Sequence, residues 1–154
     1  MKRFALLAAV PALLFAAAAS AHTDEYLATV KSPNGGQLRM AGPFHFELVV
    51  AKDSKEVKEN AIVVYVTDHA DKKIDTKGMS GTATILAGKL KATATLTPDG
   101  DNRLKGFAKY ASDAGMKVAV TVKMADGKSE QARFVPLAPA KAAAGNDDHA
   151  GHKH

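Results

Sequence analysis

The chain has 154 residues, a formal net charge of +5 and no cysteine. Without cysteine there are neither disulfide bonds nor thiolate metal sites, so a folded domain must be stabilised by its apolar core. The lysines are spread along the sequence and do not cluster with aromatic residues. This distribution argues against a protein that binds nucleic acid.

The first 21 residues have the pattern of a secretory signal peptide. The basic start Met1-Lys2-Arg3 precedes an apolar run over residues 4–19, and Ala19-Ser20-Ala21 is a small-x-small cleavage signal. The run is shorter than the roughly 20 apolar residues of a transmembrane helix, and polar residues follow it directly. We therefore expect cleavage after Ala21, a periplasmic location and no membrane insertion of the mature chain.

Residues 22–137 carry the pattern of one all-β domain. Apolar and polar residues alternate with period two in short segments that are bounded by Gly, Pro, Asp or Asn, which is typical of half-buried strands. The predicted strands are residues 44–50, 61–67, 82–87, 90–97, 104–108, 118–124 and 129–135. Asp126-Gly127 favours a hairpin turn between the last two strands. Seven or eight antiparallel strands at this spacing predict an immunoglobulin-like β-sandwich or small barrel.

The composition changes after the predicted domain. Residues 138–154 begin as a low-complexity linker and end in a histidine-rich segment. Such a segment buries too little apolar surface to offset its ordering entropy, so we expect a disordered tail. His149, His152 and His154 lie beside Asp147 and Asp148, and this tail is either a flexible ligand for Zn²⁺, Cu²⁺ or Ni²⁺ or a solvated segment that aids solubility.

A second candidate ligand is created by processing. Cleavage after Ala21 leaves His22 as the mature N-terminus, where the free amine and the ring Nδ1 form a chelating pair. One further imidazole would complete a Cu²⁺ site. Alternatively, His22 is simply a polar residue that follows the cleavage point.

Three further candidates lie within the predicted domain. His45 and Glu47 alternate with the phenylalanines of their strand, so their side chains lie about 7 Å apart on one face and are either ligands of a common ion or part of a solvent-exposed sheet face, which we favour. His69 lies between Asp68 and Asp71 in a turn after a central strand, a position for exposed ligands or for an ordinary turn.

The methionines offer a softer ligand type. Met40, Met79 and Met116 are in or near predicted loops, where a thioether suits Cu⁺. Met124 alternates with valines in a predicted strand. Filling of the apolar core is the favoured explanation for most of these residues.

The sequence carries no recognisable catalytic motif. It has no nucleophile elbow, no phosphate-binding glycine loop and no His-Glu-x-x-His zinc motif. We therefore expect a protein that is not an enzyme, and a copper enzyme that uses His22 is a minor alternative.

Several segments resemble a group of small periplasmic proteins that accompany heavy-metal resistance systems, and the N-terminal β-domain of some metal-efflux adaptor proteins. These segments are residues 32–38 (SPNGGQL), 46–50 (FELVV), 64–70 (VYVTDHA), 75–84 (DTKGMSGTAT), 96–102 (LTPDGDN) and 132–134 (ARF). The resemblance implies a metal-binding accessory function with an efflux protein as partner. It also implies His-Gly-Gly where this chain has Asn34-Gly35-Gly36, which leaves His45 and His69 as the candidate ligands of the domain.

These observations lead to one preferred hypothesis. We expect a periplasmic metal-binding accessory protein, with copper as the preferred ion and zinc or nickel as alternatives, that buffers the ion or delivers it to an efflux or resistance system. The expected ligands are His22, His45, Glu47, His69, Met79 and the three histidines of the tail. The competing hypothesis is a structural or interaction module of the cell envelope whose exposed sheet edge binds a partner.

Overall fold

The computed structural model describes residues 23–139. In this part of the chain, a short helix precedes eight strands. The elements are α1 (Asp24–Thr29), β1 (Gln37–Ala41), β2 (Phe44–Val50), β3 (Lys58–Asp68), β4 (Ser80–Ala87), β5 (Leu90–Pro98), β6 (Arg103–Tyr110), β7 (Lys117–Lys123) and β8 (Ser129–Phe134). The predicted signal peptide, and the tail from residue 140 onward, lie outside the described residues.

The strands form one nearly closed antiparallel sheet in the order β1-β2-β3-β6-β5-β4-β7-β8. Pairing is extensive within β1-β2-β3-β6, which we call layer A, and within β5-β4-β7-β8, which we call layer B. The two layers are joined between β5 and β6 by only two residue pairs, Thr97 with Lys105 and Pro98 with Leu104. At the other side β1 contacts β8. The predicted all-β fold of seven or eight antiparallel strands is therefore confirmed.

The core lies between the two layers and consists of the inward-facing residues of every strand. In β3, for example, Ile62, Val64 and Val66 are fully buried and alternate with less buried neighbours. Tyr110 of β6 is fully buried. Its hydroxyl accepts from the Ala51 N–H at 3.0 Å and donates to the Ala61 carbonyl at 2.8 Å. Burial raises the pKa of Tyr110 above its ordinary value.

Two elements depart from the sequence-based expectation. The six-residue helix α1 has Leu27 as its buried residue, so it is too short to show a helical period. In β1 the apolar residues Leu38 and Met40 alternate with the core residue Ala41, and therefore point away from the core. This inverted pattern explains why β1 was not predicted.

Within residues 23–139, no helix is long and apolar enough to cross a membrane.

Candidate metal site

The outer face of β2, opposite the core, is buried. His45 is 1% exposed and Glu47 is 3% exposed, although both alternate with the core residues Phe46 and Leu48. The interpretation of this face as solvent-exposed is therefore wrong. Two segments cover it, residues 23–36 from the N-terminal side and the loop of residues 68–72, and we call them together the cover.

The first segment is attached to the sheet through the carboxylate of Glu47. Its Oε1 accepts from the backbone N–H groups of Asn34 and Gly36, both at 2.9 Å, and its Oε2 accepts from the Asn34 side-chain amide at 2.8 Å. A buried carboxylate is stable only when such donors replace water. Both oxygens of Glu47 thus hold residues 34–36 in place. Glu47 could act as a metal ligand only if these hydrogen bonds were broken.

Gly35 and Gly36, at this contact, are required for different physical reasons. Gly35 has a φ of +72°, which favours glycine in the turn. Gly36 has no positive φ, but a Cβ atom there would lie 2.3 Å from the Leu48 carbonyl oxygen. Position 35 thus requires glycine for its positive φ, whereas position 36 requires glycine because the cover approaches the β2 backbone.

The second segment of the cover brings two histidines together. The rings of His45 and His69 are stacked with centroids 5.0 Å apart and planes inclined by 23°. Oδ1 of Asp71 lies 3.4 Å from Nδ1 of His45. His45, near the start of β2, thus lies against the imidazole of His69 and close to the carboxylate of Asp71, and both of these residues come from the loop that follows β3.

The loop of residues 68–72 is fixed by its own hydrogen bonds. Oδ1 of Asp68 accepts from the backbone N–H groups of Ala70 at 2.8 Å and Lys72 at 2.9 Å. The Asp71 N–H donates to the Asp68 carbonyl, and a bridge between Thr67 and Lys73 closes the loop. Asp71 adopts a φ of +58°, a left-handed conformation that Asp and Asn tolerate better than most residues.

This cluster is not a preformed metal cage. Among residues 23–139, no group of three or more His, Asp or Glu side chains has the geometry to hold a metal ion as it stands. His69 is half-buried, and the side chain of Asp71 is 84% exposed. A metal ion that bound here would therefore draw in the loop side chains toward His45, which the sheet holds in place.

A cavity of about 350 Å³ adjoins the cluster under the cover. Pro33 and Asn34 line it on one side, Tyr65 and Thr67 line it on the face of β3, and Asp71 is shared with the histidine cluster. This space leaves room for the Asp71 side chain to move.

The remaining predicted ligands lie elsewhere. Met79 is 6% exposed and belongs to the hydrophobic core, as do Met116 and Met124, so core filling is confirmed as the role of these three methionines. Asn34 donates to Glu47 and contacts no histidine through a hydrogen bond that the structure describes. The candidates His22, His149, His152 and His154 lie outside the described residues.

The sequence predicted a common strand face for His45 and Glu47 and left His45 and His69 as candidate ligands of the domain, but it did not predict Asp71 as a member. In the structure, His45 lies together with His69 and Asp71. The signal for this pairing is the register of β2 and β3, in which His45 lies opposite Thr67, two residues before His69.

Comparisons with known proteins add little to this picture. No family model matches the chain, and no curated protein matches its sequence. Among solved structures, the chain is similar to a lipoprotein from Bacteroides thetaiotaomicron determined by solution NMR, with 15% sequence identity and a TM-score of 0.37. The match covers 75% of this chain and 95% of that chain. A TM-score this low supports no conclusion about fold or function.

Proposed function

We propose that this protein is a periplasmic metal-binding accessory protein that buffers a transition-metal ion, preferably copper, or delivers it to an efflux or resistance system. The observation that carries the proposal is the contact of two imidazoles and a carboxylate, His45, His69 and Asp71, at one end of layer A. Zinc and nickel are the alternative ions.

The chemistry of the cluster supports this choice. Imidazole nitrogen suits Cu²⁺, Zn²⁺ and Ni²⁺, and a carboxylate adds negative charge that the ion neutralises. His45 is held by the sheet, so part of the ordering cost of a ligand is met before the ion binds. The loop residues supply the movement that lets an ion enter and leave, which a buffering or delivery function requires.

Two further groups extend the proposal beyond the described residues. His22 would begin the mature chain two residues before Asp24, whose carboxylate accepts from the Met40 N–H at 2.8 Å on β1. This contact holds Asp24, the third residue of the expected mature chain, on the strand that pairs with β2. We propose that the tail histidines, His149, His152 and His154, capture ions at lower affinity than the cluster.

The competing proposal, an interaction module without a metal, is favoured by one observation on layer B. A shallow groove of about 340 Å³ there is lined by apolar residues that include Leu86, Phe134 and Val135, with Lys117 and Arg133 among its other lining residues. Leu86 is nearly half exposed. Exposed apolar surface bordered by polar groups is typical of contacts with a protein partner.

Calorimetric titration of the mature chain with Cu²⁺ and Zn²⁺ tests the metal proposal. A tail variant with His149→Ser, His152→Ser and His154→Ser keeps the full length and removes the tail imidazoles. We expect it to retain one site, and we expect His69→Phe in this background to weaken that site by at least about tenfold, the loss caused even by residues that only position a ligand.

The choice of variants separates ligand loss from structural damage. Phe at position 69 keeps an aromatic ring against His45, and Asp71→Asn keeps a residue that tolerates the left-handed backbone. Asp126→Asn, in the turn between β7 and β8, makes the same charge change away from the cluster and should leave binding unchanged. A tail variant that binds neither ion would overturn the proposal and leave the interaction module as the better account.

A further inference from the structure

Met40 lies beside His45 on the outer face of layer A. The two residues are direct partners in the register of β1 and β2. The N–H of Met40 donates to Oδ1 of Asp24 at 2.8 Å, and is therefore directed away from β2. Met40 and His45 accordingly form a non-hydrogen-bonded pair, the kind in which the two side chains approach most closely, with Cβ atoms about 4.5–5.5 Å apart.

Both side chains are on the face opposite the core. Ala41, the neighbour of Met40, is a core residue, as is Phe46, the neighbour of His45. Because successive side chains of a strand point to opposite faces, Met40 and His45 share the face that the cover occupies. The thioether thus lies on the β1 side of the imidazole, whereas Asp71 reaches it from the loop after β3.

Met40 differs from the other methionines of the described chain. Met79, Met116 and Met124 are buried in the core, whereas Met40 is half-buried and outside it. Met40 is therefore the one methionine of residues 23–139 that lies outside the core. A thioether is a softer type of ligand than the imidazoles and carboxylate of the cluster.

We propose that the site takes a cuprous ion, with Sδ of Met40 and the imidazoles of His45 and His69 as its three ligands. This inference rests on the proposed metal-binding function and assigns it an oxidation state and a further ligand. Soft thioethers select Cu⁺, while carboxylates suit harder ions. The ion is bound and released as Cu⁺, so no electron transfer is involved. Asp71 contributes to Cu²⁺ and Zn²⁺ but is dispensable for Cu⁺.

Anaerobic competition with a chromophoric Cu⁺ chelator, in the full-length tail variant, tests the role of Met40. We expect Met40→Leu to lower Cu⁺ affinity at least about tenfold while Zn²⁺ affinity stays the same, because leucine fills a similar volume without a sulfur atom. Asp71→Asn should have the opposite effect, with weaker Zn²⁺ binding and unchanged Cu⁺ binding. Met79→Leu is the matched control and should change neither affinity.

X-ray absorption gives a second readout that needs no mutation of the sequence. With selenomethionine in place of methionine, the Cu⁺ form should show a copper–selenium scattering path. Equal Cu⁺ affinities of the parent and Met40→Leu, or absence of that path, would overturn the role of Met40 while the metal proposal stands on its Zn²⁺ and Cu²⁺ data. If the parent binds Cu⁺ through the path but Met79→Leu also abolishes binding, the sulfur ligand is assigned wrongly.

Discussion

The outer faces of the two layers start from the same sequence pattern and end in different environments. On layer B, residues that alternate with the core, such as Thr82, Gln131 and Arg133, are exposed to solvent. On layer A, the corresponding residues His45 and Glu47 are buried under the cover. Period-two alternation therefore locates the core face of a strand, but the environment of the other face depends on what the rest of the chain places over it.

This contrast concentrates the chemistry of the molecule on one side. On the outer face of β2, the carboxylate of Glu47 is bound by Asn34 and Gly36 in place of water. The imidazole of His45 is covered by the loop that carries His69. Polar groups on layer B remain hydrated. Substitutions at the covered residues of β2 and on the outer face of layer B should therefore differ strongly in their effect on stability.

The largest effect is expected where the cover touches the β2 backbone. Gly36→Ala should lower the free energy of unfolding by about 4 kcal/mol, because the added Cβ would overlap the Leu48 carbonyl and displace the N–H that Glu47 accepts. Urea denaturation with an unchanged m value measures this loss. Gly35→Ala, where a Cβ meets only open space and the end of Lys52, should cost about 1 kcal/mol from its left-handed φ. Equal losses at both positions would mean that the cover is not closely packed on β2.

A smaller but still large effect is expected at the carboxylate that holds the cover. Glu47→Ala should destabilise the domain by about 3 kcal/mol, since three hydrogen-bond donors lose their charged acceptor. Hydrogen exchange at the Asn34 and Gly36 amides should accelerate at the same time. Glu59→Ala, at an exposed position of β3, is the control and should change stability by less than about 0.5 kcal/mol. A Glu47 variant as stable as this control would contradict the anchoring role.

The smallest effect is expected on layer B. Arg133→Gln should change the free energy of unfolding by less than about 0.5 kcal/mol, because its side chain is exposed and alternates with the core residues Ala132 and Phe134. The measurement is again urea denaturation. A loss above about 1 kcal/mol would show that the outer face of layer B also contributes to stability, which would contradict the difference proposed between this face and the covered face of β2.

Most of the fold could be predicted from the sequence, because seven strands keep their apolar residues toward the core and end at turn residues. Gly127, with a φ of +88°, lies in the turn predicted between the last two strands, and Gly88, with a φ of +57°, lies between β4 and β5. The strand β1 could not be predicted in this way, since Leu38 and Met40 face the cover and Arg39 lies near Asp24. The helix α1 carries the usual start signals, Thr23 as N-cap and acidic residues in its first turn, but it is too short for a period.

The candidate site could be predicted only as a set of residue types. His45 and His69 were identified because imidazoles suit transition metals, yet their contact depends on strand register and on the loop that Asp68 closes. The partners of Glu47 come from a segment that shows no periodic pattern. Such long-range contacts are a property of the assembled layers and have no local signature in the sequence.

The contact of Asp24 with the β1 backbone also bears on self-association. An edge strand presents unsatisfied amides that invite pairing with a second chain and, in the extreme, fibril growth. Here the carboxylate at the start of α1 occupies the outward N–H of Met40, and the side chain of Arg39 lies 3.9 Å from the same carboxylate. Asp24, the first residue of the short helix, thus satisfies an amide on the edge of β1 and makes this strand a poor template for intermolecular strand addition.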